Sequence, residues 1–406
     1  MSTILSGTVL LSLLVLSLAA LVLTARQWLL PMRRVLVTVN GGKTIASQTG
    51  ERLLAALNDN GVLVPSACAG VGSCGLCKVK VTGTPLAPLP TESARLTRAE
   101  LRDGMHLACQ VVLRGDMAVE VDEALLGAES FETTVRSTRH LTPLIREIVL
   151  DLPPDLRPPI VAGSFVQVTA PPHRLDYAAL EVPADFAQGW ERLRGLKSAS
   201  TEPVTRAYSI SNRPEDIARG RLVLNVRLAL PPPSVPGAPP GIVSSWLFGL
   251  KPGDRIDTAG PFGSVRVQDT GAEMVFIGGG VGMAPLRAMI FEQLETVRTK
   301  RQMRFFYGAR SRAELIYHEE FDSLQARHPN FSWTPALSDP DPGDAWEGAR
   351  GFVHQIAFER HLRGHPAPEA CEYYLCGPPL MIRAVLAMLD DLGVSPDRIF
   401  NDDFGV

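Results

Sequence analysis

Three cysteines fall within ten residues, Cys68-Ala-Gly-Val-Gly-Ser-Cys74-Gly-Leu-Cys77, and this window constrains the fold more tightly than any other stretch of the 406-residue chain. The residues between them are mostly Gly, Ala and Ser, which let a backbone wrap closely and turn its N–H groups toward sulfur. Six cysteines are too few for a disulfide scaffold at this length, so the spacing reads as a metal site in a reducing compartment. A centre of two irons and two bridging sulfides needs four thiolates, and Cys109 is the candidate fourth. It lies between Thr97-Arg-Ala-Glu100, which has the form of a helix capping box, and the strand-like Val111–Leu113. Structural zinc also takes four thiolates. It more naturally shows two separated C-x2-C pairs, whereas only Cys74 and Cys77 form one here. Spacing alone leaves zinc and buried, unligated cysteines open beside the iron-sulfur reading.

The length exceeds what one hydrophobic core usually serves and implies two or three domains of roughly 100 to 200 residues. With 45% hydrophobic and 20% charged residues and a net charge of -3, no field suits nucleic acid, and no nucleic-acid partner is expected. The N-terminus departs from this soluble pattern, because Ile4 to Ala25 carries no charged side chain and is long enough to span a bilayer. It has no basic n-region and exceeds the roughly 7 to 15 apolar residues of a cleaved signal, so residues 1–31 are expected to be an uncleaved transmembrane anchor. Arg26, Arg33 and Arg34 follow the span and nothing basic precedes it. The positive-inside rule then places the rest of a single-pass chain in the cytoplasm. The span offers only Ser and Thr as polar side chains, so the chain alone is not expected to pump ions.

Residues 32–129 form the first soluble segment. Arg34–Val39 alternates as a strand, Asn40-Gly41-Gly42 reads as a turn, and Glu51–Asn60 has the Leu53, Leu54, Leu57 spacing of a short amphipathic helix. C-x5-C-x2-C with a distant fourth cysteine resembles the 2Fe-2S ferredoxins of the adrenodoxin-like and oxygenase-reductase type; the plant type uses C-x4-C. The resemblance implies a β-grasp domain whose cluster is held by Cys68, Cys74, Cys77 and Cys109.

In residues 130–268, strand-like stretches at Phe165–Thr169, Ala207–Ile210 and Leu222–Leu228 are separated by Pro and Gly, the pattern of a small antiparallel barrel. Arg206-Ala-Tyr208-Ser209 puts a cation, a flat aromatic and a hydroxyl on one extended stretch. Gly241-Ile-Val-Ser244-Ser245 reads as a glycine turn opening a helix, whose N–H groups suit a pyrophosphate. Either pattern alone is simply a strand or a turn. In this order they resemble the R-x-Y-S and G-x-x-S motifs of the ferredoxin-NADP reductase superfamily. That likeness implies FAD, with Arg206 on its phosphates, Tyr208 against the isoalloxazine ring, Ser209 near the reactive nitrogen and Gly241 and Ser244 around the pyrophosphate; Arg227 is a weaker contact. Pro171–Glu202 reads as a polar insertion and Pro231–Pro240 as a stiff connection, either solvated variation or docking surface.

In residues 269–406, the apolar strand Met274–Ile277 runs into Gly278-Gly-Gly-Val-Gly282-Met-Ala-Pro285 and a helix pattern over Leu286–Val297, the phosphate-binding start of a parallel α/β sheet. This loop and Cys376-Gly-Pro-Pro379, between the strand Tyr373–Leu375 and the helix Met381–Leu392, again resemble the reductase superfamily. The likeness implies that Gly278, Gly280, Gly282, Pro285 and Gly377 contact the nicotinamide nucleotide and that Cys376 lies where hydride leaves. It also makes Phe404 the terminal aromatic that shields the flavin, so Ser209, Cys376 and Phe404 are the candidate catalytic residues. Cys371 reads as structural. Arg310 and Arg312 would suit a 2'-phosphate or plain solvent.

Anchor, ferredoxin, FAD and nicotinamide segments in this order, with Ala170-Pro-Pro-His173, Glu372-Tyr-Tyr374 and Asp402-Asp-Phe-Gly405, resemble the F subunits of bacterial sodium-translocating NADH:quinone reductases. The resemblance implies NADH oxidation, other membrane subunits as partners and ubiquinone as the final acceptor, at the bacterial inner membrane. The reductase component of an oxygenase shares the three soluble segments but not the anchor. A redox-sensing interaction protein is the remaining alternative.

Overall fold

The computed structural model describes residues 10–19, 21, 32–66, 68, 70–83, 86–122, 125, 128–156, 158–232, 235, 237–263, 265–340, 343 and 345–401. They belong to two compact units, one of Met1–Val64 with Gly70–Leu126 and one of Pro65–Ala69 with Gly127–Val406. Residues 10–19 are helical with their leucines exposed, and among the described residues no helix is long and apolar enough to cross a membrane. Part of the Ile4–Ala25 stretch lies outside the described residues.

In the first unit, Val35, Val37 and Val39 alternate inward along β1 (Arg34–Val39), which pairs antiparallel with β2 (Lys43–Gln48) across the Asn40 turn. Asn40 takes the left-handed conformation that such a turn needs, and its side-chain amide exchanges hydrogen bonds with the Val121 backbone. With β3 (Lys78–Thr82), β4 (Met105–Leu107) and β5 (Met117–Glu120) the sheet order is β2-β1-β5-β3-β4, β1 and β5 running parallel. The helix Leu53–Asp59 buries Leu53, Ala56 and Leu57 in this unit's core. The capping box at Thr97 and Glu100 forms as expected. Val111–Leu113 does not form the expected strand. Its backbone is bonded to the entry of the helix Leu53–Asp59, with Leu53 N donating to Val111 O (2.9 Å), Gly50 N to Leu113 O and Leu113 N to Glu51 O, so no sheet ladder is left for it.

The second unit opens with an antiparallel barrel. Its strands are β6 (Glu129–Thr142), β7 (Ile145–Asp151), β8 (Phe165–Ala170), β11 (Val204–Ser209), β12 (Arg221–Arg227) and β13 (Arg255–Phe262), in the order β11-β8-β13-β6-β7-β12. An Ile210–Leu224 bridge and Ser211 N donating to Val223 O (2.8 Å) join the two ends and close it. The stretch expected as a polar insertion is built into this core. It carries the hairpin of β9 (His173–Asp176) and β10 (Lys197–Ser200), and it buries Tyr177, Leu180 and Trp190. Trp190 Nε1 donates to Pro143 O (2.7 Å), and Arg194 donates to three carbonyls of the 177–180 turn. Aromatic residues spaced along a polar stretch supply the apolar payload that a periodicity reading misses.

The chain then forms a parallel sheet from β14 (Met274–Gly279), β15 (Met303–Ala309), β16 (Phe331–Leu337), β17 (Ala349–Arg350), β18 (Glu372–Cys376) and β19 (Ile399–Asn401), ordered β17-β16-β15-β14-β18-β19. Every residue of β14 is buried, as a strand covered on both faces requires. The chain moves outward from β14 through β15 and β16, then returns to lay β18 on the other side of β14. This reversal is where open parallel sheets bind ligands, outside their carboxyl ends.

Candidate functional site

The cysteine loop is shaped by glycine. Gly70, Gly72 and Gly75 have φ of +82°, +84° and +72°, and a Cβ on Gly72 would stand 2.9 Å from the Gln110 side chain. Cys74, Cys77 and Cys109 are buried, Cys68 is half-buried, and none of the four is in a disulfide. The Cys77 thiol is held far above the ordinary thiol range, first by its hydrogen bond with the Cys109 thiol and then by burial. Two buried sulfurs in hydrogen-bond contact, within a loop that only glycines can follow, fit ligands of one metal centre. Two supporting residues belong to no motif. Gln110 donates to Gly70 O (3.0 Å) and reaches the Cys109 sulfur (3.4 Å), and the Arg52 guanidinium donates to Cys109 O. Gln110 adjoins the fourth cysteine in sequence; nothing marks Arg52.

On the barrel, the R-x-Y-S motif occupies β11 against β8, with Arg206 opposite Val168, Tyr208 opposite Val166 and Ser209 opposite Phe165. Arg206 and Tyr208 share one face of the strand, half-buried, and Ser209 is buried on the other. Burial holds the Tyr208 phenol above its usual range, with Arg206 pulling weakly the other way. Gly241 opens the helix Ile242–Gly249, and a Cβ there would lie 2.7 Å from both Ala229 Cβ and Ser244 Oγ. Ser244 Oγ donates to Gly241 O (3.2 Å) and accepts from Ala229 N (3.2 Å), so this hydroxyl builds the turn that presents the helix N–H groups. Arg227 is exposed at the end of β12.

The two nicotinamide motifs meet at the sheet reversal. Gly278 and Cys376 are register partners on β14 and β18. A Cβ on Gly282 would stand 2.0 Å from Cys376 O and 2.7 Å from Gly377 N, and one on Gly377 would lie 3.1 Å from Gly279 N. Only side-chain-free backbone allows the two loops to interlock this closely. Gly280 has φ +57° and its carbonyl accepts from Tyr307 Oη at 3.0 Å. Pro285 is buried in the helix Met283–Phe291, which starts earlier than the expected Leu286 and ends in a π-helical turn, Glu292–Thr296. Cys376 is 2% exposed. Arg310 and Arg312 are both exposed beyond β15. Phe404 and the Asp402–Gly405 motif lie outside the described residues. Cys371 precedes β18, at the opposite end from Cys376, where burial and then Glu273 push its thiol up to about 11.

A closed antiparallel barrel followed by a parallel sheet with a glycine-lined reversal, on a chain that also carries a three-cysteine loop and a fourth buried cysteine at Cys109, defines a flavin- and nicotinamide-dependent oxidoreductase with a ferredoxin module. Residues 37–114 match the 2Fe-2S iron-sulfur cluster binding domain, 194–267 the oxidoreductase FAD-binding domain and 276–387 the oxidoreductase NAD-binding domain. The first match decides for an iron-sulfur cluster over zinc. The chain is 45% identical over 404 residues to the F subunit of the Na(+)-translocating NADH-quinone reductase of Neisseria meningitidis, covering 99% of each chain. It is equally 45% identical over 406 residues to its counterpart in Yersinia pestis, again covering 99% of each. It belongs to this family, the F subunits of Na(+)-translocating NADH-quinone reductases. Among solved structures, it is similar to the cytochrome P450 reductase GcoB of Amycolatopsis (TM-score 0.63, 26% identity, 91% of this chain and 98% of that one). It shares its fold with the ferredoxin reductase of carbazole 1,9a-dioxygenase (TM-score 0.59, 23% identity, 92% and 99%).

Proposed function

We propose that this chain is the NADH-oxidising subunit of a membrane-bound, sodium-translocating NADH:ubiquinone reductase, and that electrons leave it singly through the cluster for other membrane subunits. The observation that carries this reading is the interlock of Gly282 with the Cys376-Gly377 peptide at the sheet reversal, on a chain with FAD-binding and 2Fe-2S domains. Bound FAD would supply the change from two-electron to one-electron transfer, and the cluster the one-electron exit.

The chain's own residues would bind and orient. Arg206 would pair with the flavin phosphates, Tyr208 would pack on the ring and Ser209 would hydrogen-bond near its reactive nitrogen, while Ser244, donating to Gly241 O, shapes the turn whose N–H groups would take the pyrophosphate. Gly278, Gly280, Gly282, Pro285 and Gly377 would hold NADH, and Cys376 would lie beside the nicotinamide where hydride leaves. Phe404 is assigned the flavin-shielding role on its sequence motif, and Arg227 a peripheral contact. Cys68, Cys74, Cys77 and Cys109 hold the cluster. NADH is preferred to NADPH on family grounds. Residues 1–31 serve as a single-pass inner-membrane anchor with the catalytic segments, bounded at 32–129, 130–268 and 269–406, in the cytoplasm. The uncharged Ile4–Ala25 stretch and the exposed leucines of residues 10–19 support this. Sodium movement belongs to the partner subunits.

Replacing Cys68 with Ala tests the division of labour. The cluster's visible and paramagnetic signals should vanish while bound FAD and dye reduction by NADH persist; loss of FAD as well would overturn independent modules. Rapid NADH oxidation with a small dye argues against a sensor, and co-purification with membrane redox subunits against an oxygenase reductase.

A further inference from the structure

Within the second unit, four buried residues close a ring of contacts between the barrel and the nicotinamide sheet. Arg287, on the helix that leaves the glycine loop, is 3% exposed and donates through Nη1 to the carbonyl of Ser211 on the barrel. Its guanidinium lies 4.4 Å from the centroid of the Tyr317 ring. Tyr317 Oη donates to Glu147 Oε2 on β7 (2.6 Å) and stands 2.9 Å from the side-chain amide of Asn225 on β12. That amide reaches Ser211 Oγ at 3.3 Å, which returns the ring to its start. Glu320 balances the buried cation, accepting from Arg287 Nε and Nη2 at 2.9 and 2.8 Å.

Three features set this ring apart from ordinary packing. Ser211 is 0% exposed and follows Ser209 by two residues, and Arg287 follows Pro285 by two, so the ring joins the flavin strand directly to the nucleotide loop. Tyr317 has φ +57°, a conformation a bulky residue adopts only when its surroundings impose it, and here the strain aims its hydroxyl at the barrel. The apolar contacts between the same two layers, Ala162 and Leu141 on the core around Met289 and Phe291, hold them together without fixing an angle. Hydrogen bonds and a guanidinium over a ring do fix one.

We infer that Arg287 and Tyr317 are positioning residues for hydride transfer, holding the nicotinamide loop at a set distance and angle from the flavin strand. Neither touches the reacting atoms; they act through Ser211 and the helix Met283–Phe291. This rests on the proposed function, in which Ser209 faces flavin and Gly282 faces NADH.

The test is stopped-flow reduction of the FAD in the full, cofactor-loaded chain by NADH and by NADH deuterated at C4. Tyr317→Phe keeps the ring over Arg287 but removes the hydroxyl ties. Misplacing reacting groups by a fraction of an ångström costs on the order of tenfold in rate. Tyr317→Phe should therefore slow limiting flavin reduction about tenfold, with a retained isotope effect and a half-saturating NADH concentration within about twofold of wild type. Arg287→Lys, which keeps the charge but loses the fork, should slow it further; if it does not fold, Asn225→Leu replaces it. A Tyr317→Phe chain with lowered thermal stability but an unchanged limiting rate and isotope effect would overturn the positioning role. Failure of NADH to reduce the wild-type flavin would instead overturn the proposed function.

Discussion

At the residue scale, the groups a sequence points to most directly are those whose chemistry leaves no substitute. Three thiols in a glycine-rich loop with a fourth at Cys109, and glycines at a strand-to-helix turn, are legible because no other residue type offers that chemistry or that conformation. Gly282 shows why. Gly282→Ala would drive a methyl to 2.0 Å from Cys376 O, so flavin reduction by NADH should fall at least about tenfold while the cluster spectrum is unchanged. Stopped-flow absorbance checks this. Cys371 illustrates the opposite case, since its environment decides its behaviour. With its thiol pushed up to about 11 it should resist iodoacetamide at pH 8, and mass spectrometry of a briefly alkylated native chain reads the outcome. Gln110, Arg52, Arg287 and Tyr317 carry no such signature. A glutamine, two arginines and a tyrosine acquire roles only from what the fold puts beside them.

At the element scale, strands and helices with a clean period appear where expected, and the differences arise where pairing or packing overrides it. Val111–Leu113 looks like a strand but spends its backbone bonds on residues 50–53. The 171–202 stretch looks polar yet supplies Tyr177 and Trp190 to the barrel core, both 0% exposed. Trp190→Ala should cost about 3 to 5 kcal/mol of barrel stability, read as a lower urea midpoint, whereas a solvated loop would lose almost nothing. The entry to β14 carries a pH dependence. His361 and His365, whose ring nitrogens lie 2.9 and 3.2 Å from its oxygens, hold the Glu273 carboxyl down at about 2, with His361 the larger influence and burial opposing. Its ionised form therefore adds stability that is complete above the unfolded value near 4.5 and is lost as pH falls toward 2. Glu273→Gln should lower the melting temperature at pH 7, and the difference from wild type should shrink below about pH 4.5.

At the scale of the whole molecule, the order of segments carries the function: a cluster domain precedes the FAD-binding and NAD-binding domains along one chain. A chain beginning after Trp28 should remain soluble and still reduce a dye with NADH; membrane association of that truncated chain would show that the anchor lies elsewhere. By itself the sequence determined the family and the cofactors, because short motifs encode chemistry through residue identity and spacing. Only the tertiary structure decided that the Gly282 loop and the Cys376-Gly377 peptide interlock, that the 171–202 stretch is core, and that Arg287 and Tyr317 tie the barrel to the sheet. Those contacts join residues far apart in the chain, and their strength comes from burial and direction, which no local pattern records.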